Sequence, residues 1–159
     1  MPKDTDAMTD KEIHDRIVRL AFEGNEQALL EFRQKLRAGL PPGTGIALRG
    51  SVVTDERYKD SKPFDADGKG TSDLDVALIG NKVMEHWNKE AFYIPELHTK
   101  PLGDKDPDIA PGLNPLRLEL QKMAGRPVNF QATSNFILFA RDVLMDQPYF
   151  MLLDPDENS

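Results

Sequence analysis

Two aspartates, Asp73 and Asp75, stand two positions apart where an apolar run begins. Because alternate side chains of an extended strand project to the same face, both carboxylates are predicted to lie on one side of a strand. Two carboxylates at this spacing repel each other unless a cation lies between them, and oxygen ligands of this kind suit Mg²⁺. The spacing therefore predicts a magnesium site at Asp73 and Asp75.

A second pair of residues, Gly50 and Ser51, follows an earlier apolar run. Gly50 has no side chain to obstruct a phosphate. Ser51 offers a hydroxyl and a backbone N–H at the predicted start of a short helix, where the helix dipole favours anions. Arg49 is a further candidate phosphate ligand, the alternative being a surface charge on the strand. With the aspartates, these residues predict a site for a metal-bound triphosphate.

The elements that must position these residues follow from the periodicity of apolar residues and from capping signals. A capping box at Thr9 and Glu12 predicts the start of the first helix, and Asn25 is predicted to cap the second. Strands are predicted at residues 46–48, 73–79 and 128–132, and further helices at residues 81–92, 116–124 and 136–144. Residues 94–115 are predicted to form a long connection, and residues 145–153 to pack or fray. We therefore expect an α/β (α+β) fold, a small mixed sheet with helices packed on one face.

The order of apolar strand, Gly50-Ser51, connecting segment and the run SDLDV at residues 72–76 resembles the signature of the polymerase-β-like nucleotidyltransferases. The resemblance covers residues 40–80 and extends more loosely to residue 133. It implies that Gly50 and Ser51 hold the triphosphate and that Asp73 and Asp75 bind Mg²⁺. The connection at residues 52–71 is longer than is usual in that family.

Polar residues of this connection supply further candidates for nucleotide binding. Residues 58–70 form a Pro- and Gly-punctuated loop that carries Lys59, Lys62 and Lys69. Loops of this kind often contact substrates, although a solvated charge is the alternative for each lysine. Lys69 and Ser72, which are nearest to the aspartates, are the two assigned to the nucleotide.

Asn129 stands where the resemblance implies a third acidic residue, on a later strand. An amide oxygen ligates magnesium weakly, carries no charge and cannot take a proton from an acceptor hydroxyl. Two interpretations follow. Either another carboxylate activates the acceptor, with Glu119, Asp108 and Asp142 as candidates, or the chain is a nucleotide-binding relative with weakened chemistry.

The resemblance implies transfer of a nucleotidyl group from a nucleoside triphosphate to a hydroxyl of a protein, an RNA or a small molecule. The segments RGSVVT, SDLDVAL and GRPVNF also resemble the compact nucleotidyltransferase-like domains of bacterial polymorphic toxins, which implies an immunity protein as partner. Two alternatives remain. One is a module of the same fold that binds a nucleotide or a partner without turnover, and the other is a structural domain whose aspartates are incidental.

Length and composition limit the domain count and the classes of function that this chain can have. The 159 residues, 39% of them hydrophobic, predict one domain over 1–159, with flexible tails at 1–8 and 154–159. A net charge of -7 argues against general binding of nucleic acid, and the lack of cysteine excludes disulfides and thiolate metal sites. Without a secretory signal or an apolar run of membrane-spanning length, a cytoplasmic location is expected.

Overall fold

A computed structural model describes residues 5–155. The helices are α1 (Asp10–Ala21), α2 (Glu26–Gly39), α3 (Ser51–Thr54), α4 (Asn81–Met84), α5 (Asn114–Ala124) and α6 (Phe136–Asp142). The strands are β1 (Gly45–Arg49), β2 (Leu74–Ile79), β3 (Phe92–Ile94), β4 (His98–Thr99), β5 (Val128–Thr133) and β6 (Tyr149–Leu153). Helices together with a mixed sheet confirm the predicted α+β class.

The six strands within residues 5–155 form one sheet in the order β3-β4-β5-β2-β1-β6. The pair β2 and β5 is parallel, whereas β1 runs antiparallel to both β2 and β6. Strands β1, β2 and β5, which were predicted from sequence, therefore lie side by side at the centre of the sheet. The sheet brings together the segments that carry the candidate site residues.

The helix starts follow the predicted capping signals. Thr9 accepts a hydrogen bond from the backbone N–H of Glu12 while the Glu12 carboxylate accepts one from Thr9, so the capping box is complete. Asn25 caps α2 through its side-chain oxygen. The start of α5 precedes the predicted one by two residues because Pro115 is tolerated in the first turn, where its missing N–H has no helical partner.

The main core lies between one face of the sheet and the packed helices. Alternate residues of the central strands, including Leu48, Val76 and Phe130, are buried in it together with the apolar faces of α1 and α2. Helix α6 lies on the opposite face, where Phe139 packs on Ala47 and Ala77. This helix differs from the predicted layering, in which all helices pack on one face. The small side chains of Ala47 and Ala77 leave room for Phe139 on the second face.

Three strands and one helix end differ from the sequence prediction. The segment 145–153 contains β6, the connection 94–115 contains β4, and β3 begins at the end of the predicted helix 81–92. Strands β4 and β6 are stabilised by pairing with strands distant in sequence. Helix α4 ends after one turn, although Trp87 is buried as its apolar pattern requires. The turn ends there because the N–H of Asn88 donates to the carbonyl of Ile109 and the Trp87 indole donates to that of Lys100.

Part of the predicted N-terminal tail lies against the fold. Thr5 is buried, and Arg16 Nη1 donates to its hydroxyl at 2.9 Å and to the carbonyl of Val53 at 2.9 Å. Residues 1–4 and 156–159, which make up the rest of both predicted tails, lie outside the described residues.

Candidate functional site

Three polar residues form a row across the centre of the sheet. Arg49 of β1 pairs in register with Asp75 of β2, and Asp75 pairs with Asn129 of β5. Directly paired residues project to the same side of a sheet, so the row lies on the face opposite the main core. The prediction that Asn129 lies beside the aspartates if the two strands are neighbours is confirmed.

The two aspartates converge on one point. Asn129 Nδ2 donates to Asp73 Oδ2 at 2.9 Å and to Asp75 Oδ1 at 3.0 Å. Partial burial raises the pKa of Asp73, and the negative charge of Asp75 raises it further, while the hydrogen bond from Asn129 opposes the shift. The amide therefore stabilises two like charges that would otherwise repel each other.

The donor set fits a magnesium ion that arrives with a phosphate-bearing ligand. Mg²⁺ is commonly held in proteins by one or two carboxylates and completes its shell with waters and phosphate oxygens. Within residues 5–155 no cluster of three or more His, Cys, Asp or Glu side chains could hold a metal on its own. Asp73 and Asp75 are the carboxylates that would hold the ion, and the amide nitrogen of Asn129 that bridges them would have to move because an N–H donor cannot ligate a cation.

Gly50 makes the turn that brings α3 against the carboxylates. Its φ of 81° lies in the left-handed region, and a Cβ at this position would lie 3.0 Å from Asp75 Oδ2. Both the backbone conformation and the close approach therefore require glycine. Ser51 begins α3 and lines the same cavity as the aspartates.

These residues line a cleft of about 520 Å³, within the range of small-molecule sites. The predicted residues in its wall are Arg49, Gly50, Ser51, Ser72, Asp73 and Asp75. Further polar residues are Thr54, Glu56, Arg57, Tyr58, Lys59, Asp67, Thr71 and Gln147, and Val143, Leu144 and Met145 contribute apolar surface. The turn, the acidic strand and the long loop of residues 55–72 thus share one cavity.

Two of the predicted nucleotide ligands have other contacts. The Ser72 side chain is buried and accepts a hydrogen bond from the Asp65 N–H at 2.8 Å, so it helps to hold the loop. Lys69 forms an ion pair with Glu23 and does not line the cleft. Of the three loop lysines, Lys59 is the one in the cleft wall, because the loop turns the other two outward.

The loop that approaches the cleft is anchored by a buried ion pair. Arg126 donates to Asp65 Oδ1 at 2.7 Å and to Asp65 Oδ2 at 3.0 Å, and also to the Ser72 carbonyl at 3.0 Å. Burial acts to raise the pKa of Asp65, but the bonds from Arg126 and from two backbone N–H groups outweigh it and lower that pKa. This fork fixes the start of β2, and so the position of Asp73.

A second, smaller cavity of about 230 Å³ lies on the other side of Asp75. It shares Arg49, Asp75 and Val143 with the cleft and is also lined by Val76, Tyr93, Pro101, Asn129 and Gln131. Arg49 Nη1 donates to Gln131 Oε1 at 3.0 Å, and Gln131 Nε2 donates to the Thr99 carbonyl at 2.8 Å. Arg49 and Asp75 of the polar row therefore line both the cleft and the smaller cavity.

The three alternative carboxylates do not join this site. Glu119 forms an ion pair with Lys35 at 2.7 Å, and Asp142 lies 3.1 Å from His98 Nε2. Neither they nor Asp108 line either cavity. The hypothesis that one of these carboxylates replaces the missing third acid is therefore wrong for the geometry described.

Several residues that line the site were not predicted from the sequence. Arg57, Tyr58, Met145 and Gln147 line the cleft although no periodic pattern marks them. Gly103 was missed too: a Cβ there would lie 2.5 Å from Asn129 Oδ1, so glycine gives the Asn129 side chain its space. The position of Tyr58, an aromatic residue inside a polar loop, is the one sequence feature that could have indicated a binding residue there.

Within residues 5–155 the helices are all too short or too polar to cross a membrane. Comparison of the chain with protein-family models, with curated proteins and with solved structures finds no match.

Proposed function

We propose that this chain is a magnesium-dependent nucleotidyltransferase that moves a nucleotidyl group from a nucleoside triphosphate to an acceptor hydroxyl. The observation that carries the proposal is the convergence of Asp73 and Asp75 beside the Gly50-Ser51 turn in one cleft. This is the arrangement on which the resemblance to the polymerase-β-like nucleotidyltransferases also rests.

Each group has a defined part in this proposal. Asp73 and Asp75 would hold Mg²⁺, which supplies positive charge that neutralises the triphosphate as pyrophosphate leaves. Gly50 lets the backbone turn close beside the Asp75 carboxylate, and the Ser51 hydroxyl, which lines the same cleft, would donate a hydrogen bond to the phosphates. Arg49 and Lys59 in the cleft wall add positive charge that offsets the anionic substrate.

The acceptor would enter from the smaller cavity. Its hydroxyl oxygen forms a bond to the α-phosphorus while the bond from that phosphorus to the bridging oxygen breaks, and pyrophosphate departs. Asn129 cannot accept the hydroxyl proton. Within the described residues Asp75 is the carboxylate that borders both cavities, and we assign the proton to it.

Pyrophosphate release tests this proposal. The chain is incubated with Mg²⁺, each of the four nucleoside triphosphates, and candidate acceptors that include protein, RNA and hydroxyl-bearing small molecules. An α-³²P label identifies the acceptor that receives the nucleotidyl group. We expect magnesium-dependent release that is lost in Asp75→Asn, and the same release from both proteins would refute the site.

A second candidate function is favoured by the Asn129 geometry. A neutral amide that already satisfies both carboxylates is suited to a module that binds a nucleotide or a partner without turnover. Isothermal titration separates the two, because the module binds a magnesium nucleotide and releases no pyrophosphate. Absence of both binding and release would indicate a purely structural domain.

The resemblance to toxin domains adds a proposal about partners. If the chain acts as a toxin, an immunity protein is expected to cover the cleft. Growth arrest on expression, which is relieved in Asp73→Asn, would support this activity. Growth unchanged by an enzyme active in vitro would contradict it.

A further inference from the structure

An exposed aromatic side chain stands in the wall of the cleft. Tyr58 is 82% exposed, and within the described chain its ring packs against no other aromatic ring. The carboxylates of Asp73 and Asp75 line the same cavity. The cleft therefore combines an anionic, metal-binding part with a free aromatic surface.

The loop that presents Tyr58 is held by several hydrogen bonds. Arg57 donates through Nε and Nη2 to both oxygens of Asp60, at 3.1 and 2.6 Å, and through Nη1 to Asp67 at 2.6 Å. The backbone N–H of Arg57 also donates to the Lys62 carbonyl, and that of Ser61 to the Arg57 carbonyl. Because Arg57 is committed to these contacts, the loop presents its neighbours, Tyr58 and Lys59, to the cleft.

The turn between α6 and β6 supplies a second exposed apolar side chain. Met145 is 57% exposed and lines the cleft. Met145 and Asp146 have φ values of 49° and 61°, a conformation that costs non-glycine residues about 1 kcal/mol each. Hydrogen bonds from Asp146 N–H to the Ala140 carbonyl and from Gln147 N–H to the Leu144 carbonyl hold the turn in place. The turn therefore holds Met145 in the wall of the cleft.

We infer that Tyr58 and Met145 form the nucleobase subsite of the cleft, in which the base stacks on the Tyr58 ring and contacts the Met145 thioether. The inference rests on the proposed function, because it is the nucleoside triphosphate that links an anionic chain to a planar aromatic group. Stacking on an aromatic ring tolerates every base, and thioether sulfur makes favourable contacts with aromatic systems. Lys59, adjacent to Tyr58, contacts a phosphate of the same ligand.

Base stacking predicts weak selectivity among nucleotides. A purine offers a larger surface for stacking than a pyrimidine, so MgATP should bind more tightly than MgCTP while both bind. Gln147 is a neutral side chain of the cleft wall whose amide can donate to or accept from a base edge.

Isothermal titration of the full chain with MgATP, MgCTP and magnesium tripolyphosphate tests the subsite. Tyr58→Ala should weaken MgATP binding by roughly ten-fold, the scale of one base stacked on an aromatic side chain, and leave tripolyphosphate binding unchanged. Tyr58→Phe, which retains the ring, should bind MgATP as the parent does. Tyr149→Ala is the matched control and should bind MgATP as the parent does, because Tyr149 is 42% exposed and lines neither cavity.

The outcomes separate this inference from the proposed function. A parent protein that binds tripolyphosphate as tightly as MgATP refutes the base subsite and leaves the phosphate site standing. Equal MgATP affinity of the parent and Tyr58→Ala also refutes the subsite, as does an equal loss for both ligands. A parent that binds neither ligand refutes the proposed function and the subsite together. Circular dichroism confirms that the variants are folded, as the exposure of Tyr58 leads us to expect.

Discussion

Replacing Asn129 by aspartate changes one heavy atom at the centre of the site, the amide nitrogen, to an oxygen. The substitution removes the amide nitrogen that donates to Asp73 Oδ2 at 2.9 Å and to Asp75 Oδ1 at 3.0 Å. It also places a third negative charge beside two others. We expect Asn129→Asp to destabilise the metal-free protein at neutral pH and to strengthen magnesium binding.

The magnitude follows from the two hydrogen bonds. A hydrogen bond to a charged group contributes roughly 1.5–3 kcal/mol, and the lower end applies here because water reaches Asp73. Losing both bonds should therefore lower the free energy of unfolding by about 3 kcal/mol at pH 7. Clustered carboxylates have raised pKa values in the folded state, so stability falls as pH rises through them. The loss of stability in Asn129→Asp relative to the parent should therefore become smaller as the pH is lowered towards about 4.

Urea denaturation at several pH values, with and without Mg²⁺, measures these changes. Magnesium should restore the stability of Asn129→Asp and should stabilise the parent less, because a third carboxylate raises the affinity for the ion. Asn81→Asp is the control: it makes the same chemical change at an exposed residue that lines neither cavity. Parent-like stability and an unchanged magnesium response in Asn129→Asp would place Asn129 outside the metal site.

Four further substitutions test other parts of the site. Asp73→Asn should stabilise the metal-free protein at neutral pH, since the raised pKa of Asp73 means that its ionised form disfavours folding. This gain in stability should vanish below about pH 3.9, where the aspartate is protonated as well. Magnesium-dependent nucleotide binding should be lost in the same variant. Gly50→Ala should lower the free energy of unfolding by about 1–3 kcal/mol, because its backbone at φ 81° and ψ -153° is open essentially to glycine only, and should weaken triphosphate binding; denaturation and titration measure the two effects. Asp65→Asn should cost about 3 kcal/mol at pH 7 by leaving the buried Arg126 without its ionic partner. Because the folded pKa of Asp65 is lowered, its contribution is complete above the unfolded value and is lost as pH falls, so parent and variant should converge in acid melts. Lys69→Ala should leave nucleotide affinity unchanged in titrations, since Lys69 pairs with Glu23 outside the cleft.

The central part of the site could be predicted because it depends on local rules. The alternation of β2 places Asp73 and Asp75 on one side, and the same alternation on β5 places Asn129 and Gln131 together. Glycine before a short helix marks the turn at Gly50. These features need only the period of a strand and the conformational freedom of glycine.

The outer part of the site depends on contacts between distant segments. Strand β6 exists because β1 offers it an edge, and the apolar run of residues 149–153 carries no alternation that distinguishes a strand from a packed segment. The place of Tyr58 follows from ion pairs of Arg57 with Asp60 and Asp67, which sequence spacing does not reveal. The apolar pattern after Gly80 predicted a long helix, but the helix ends at Met84 and Trp87 is buried all the same. Burial of Trp87 depends on where its side chain lies and does not require a helical backbone.

The order of the strands has a consequence for how the protein folds. Ile46 of β1 pairs with Leu153 of β6, and Asp75 of β2 pairs with Asn129 of β5, so the centre of the sheet is assembled from residues far apart along the chain. Non-local pairings of this kind, and parallel ones above all, form slowly because the intervening chain must be closed first. During synthesis, the two aspartates emerge from the ribosome well before Asn129 can reach them. We expect a nascent chain that stops before β5 to lack the proposed nucleotide site, and the cleft is complete only once Met145 and Gln147 have also been added.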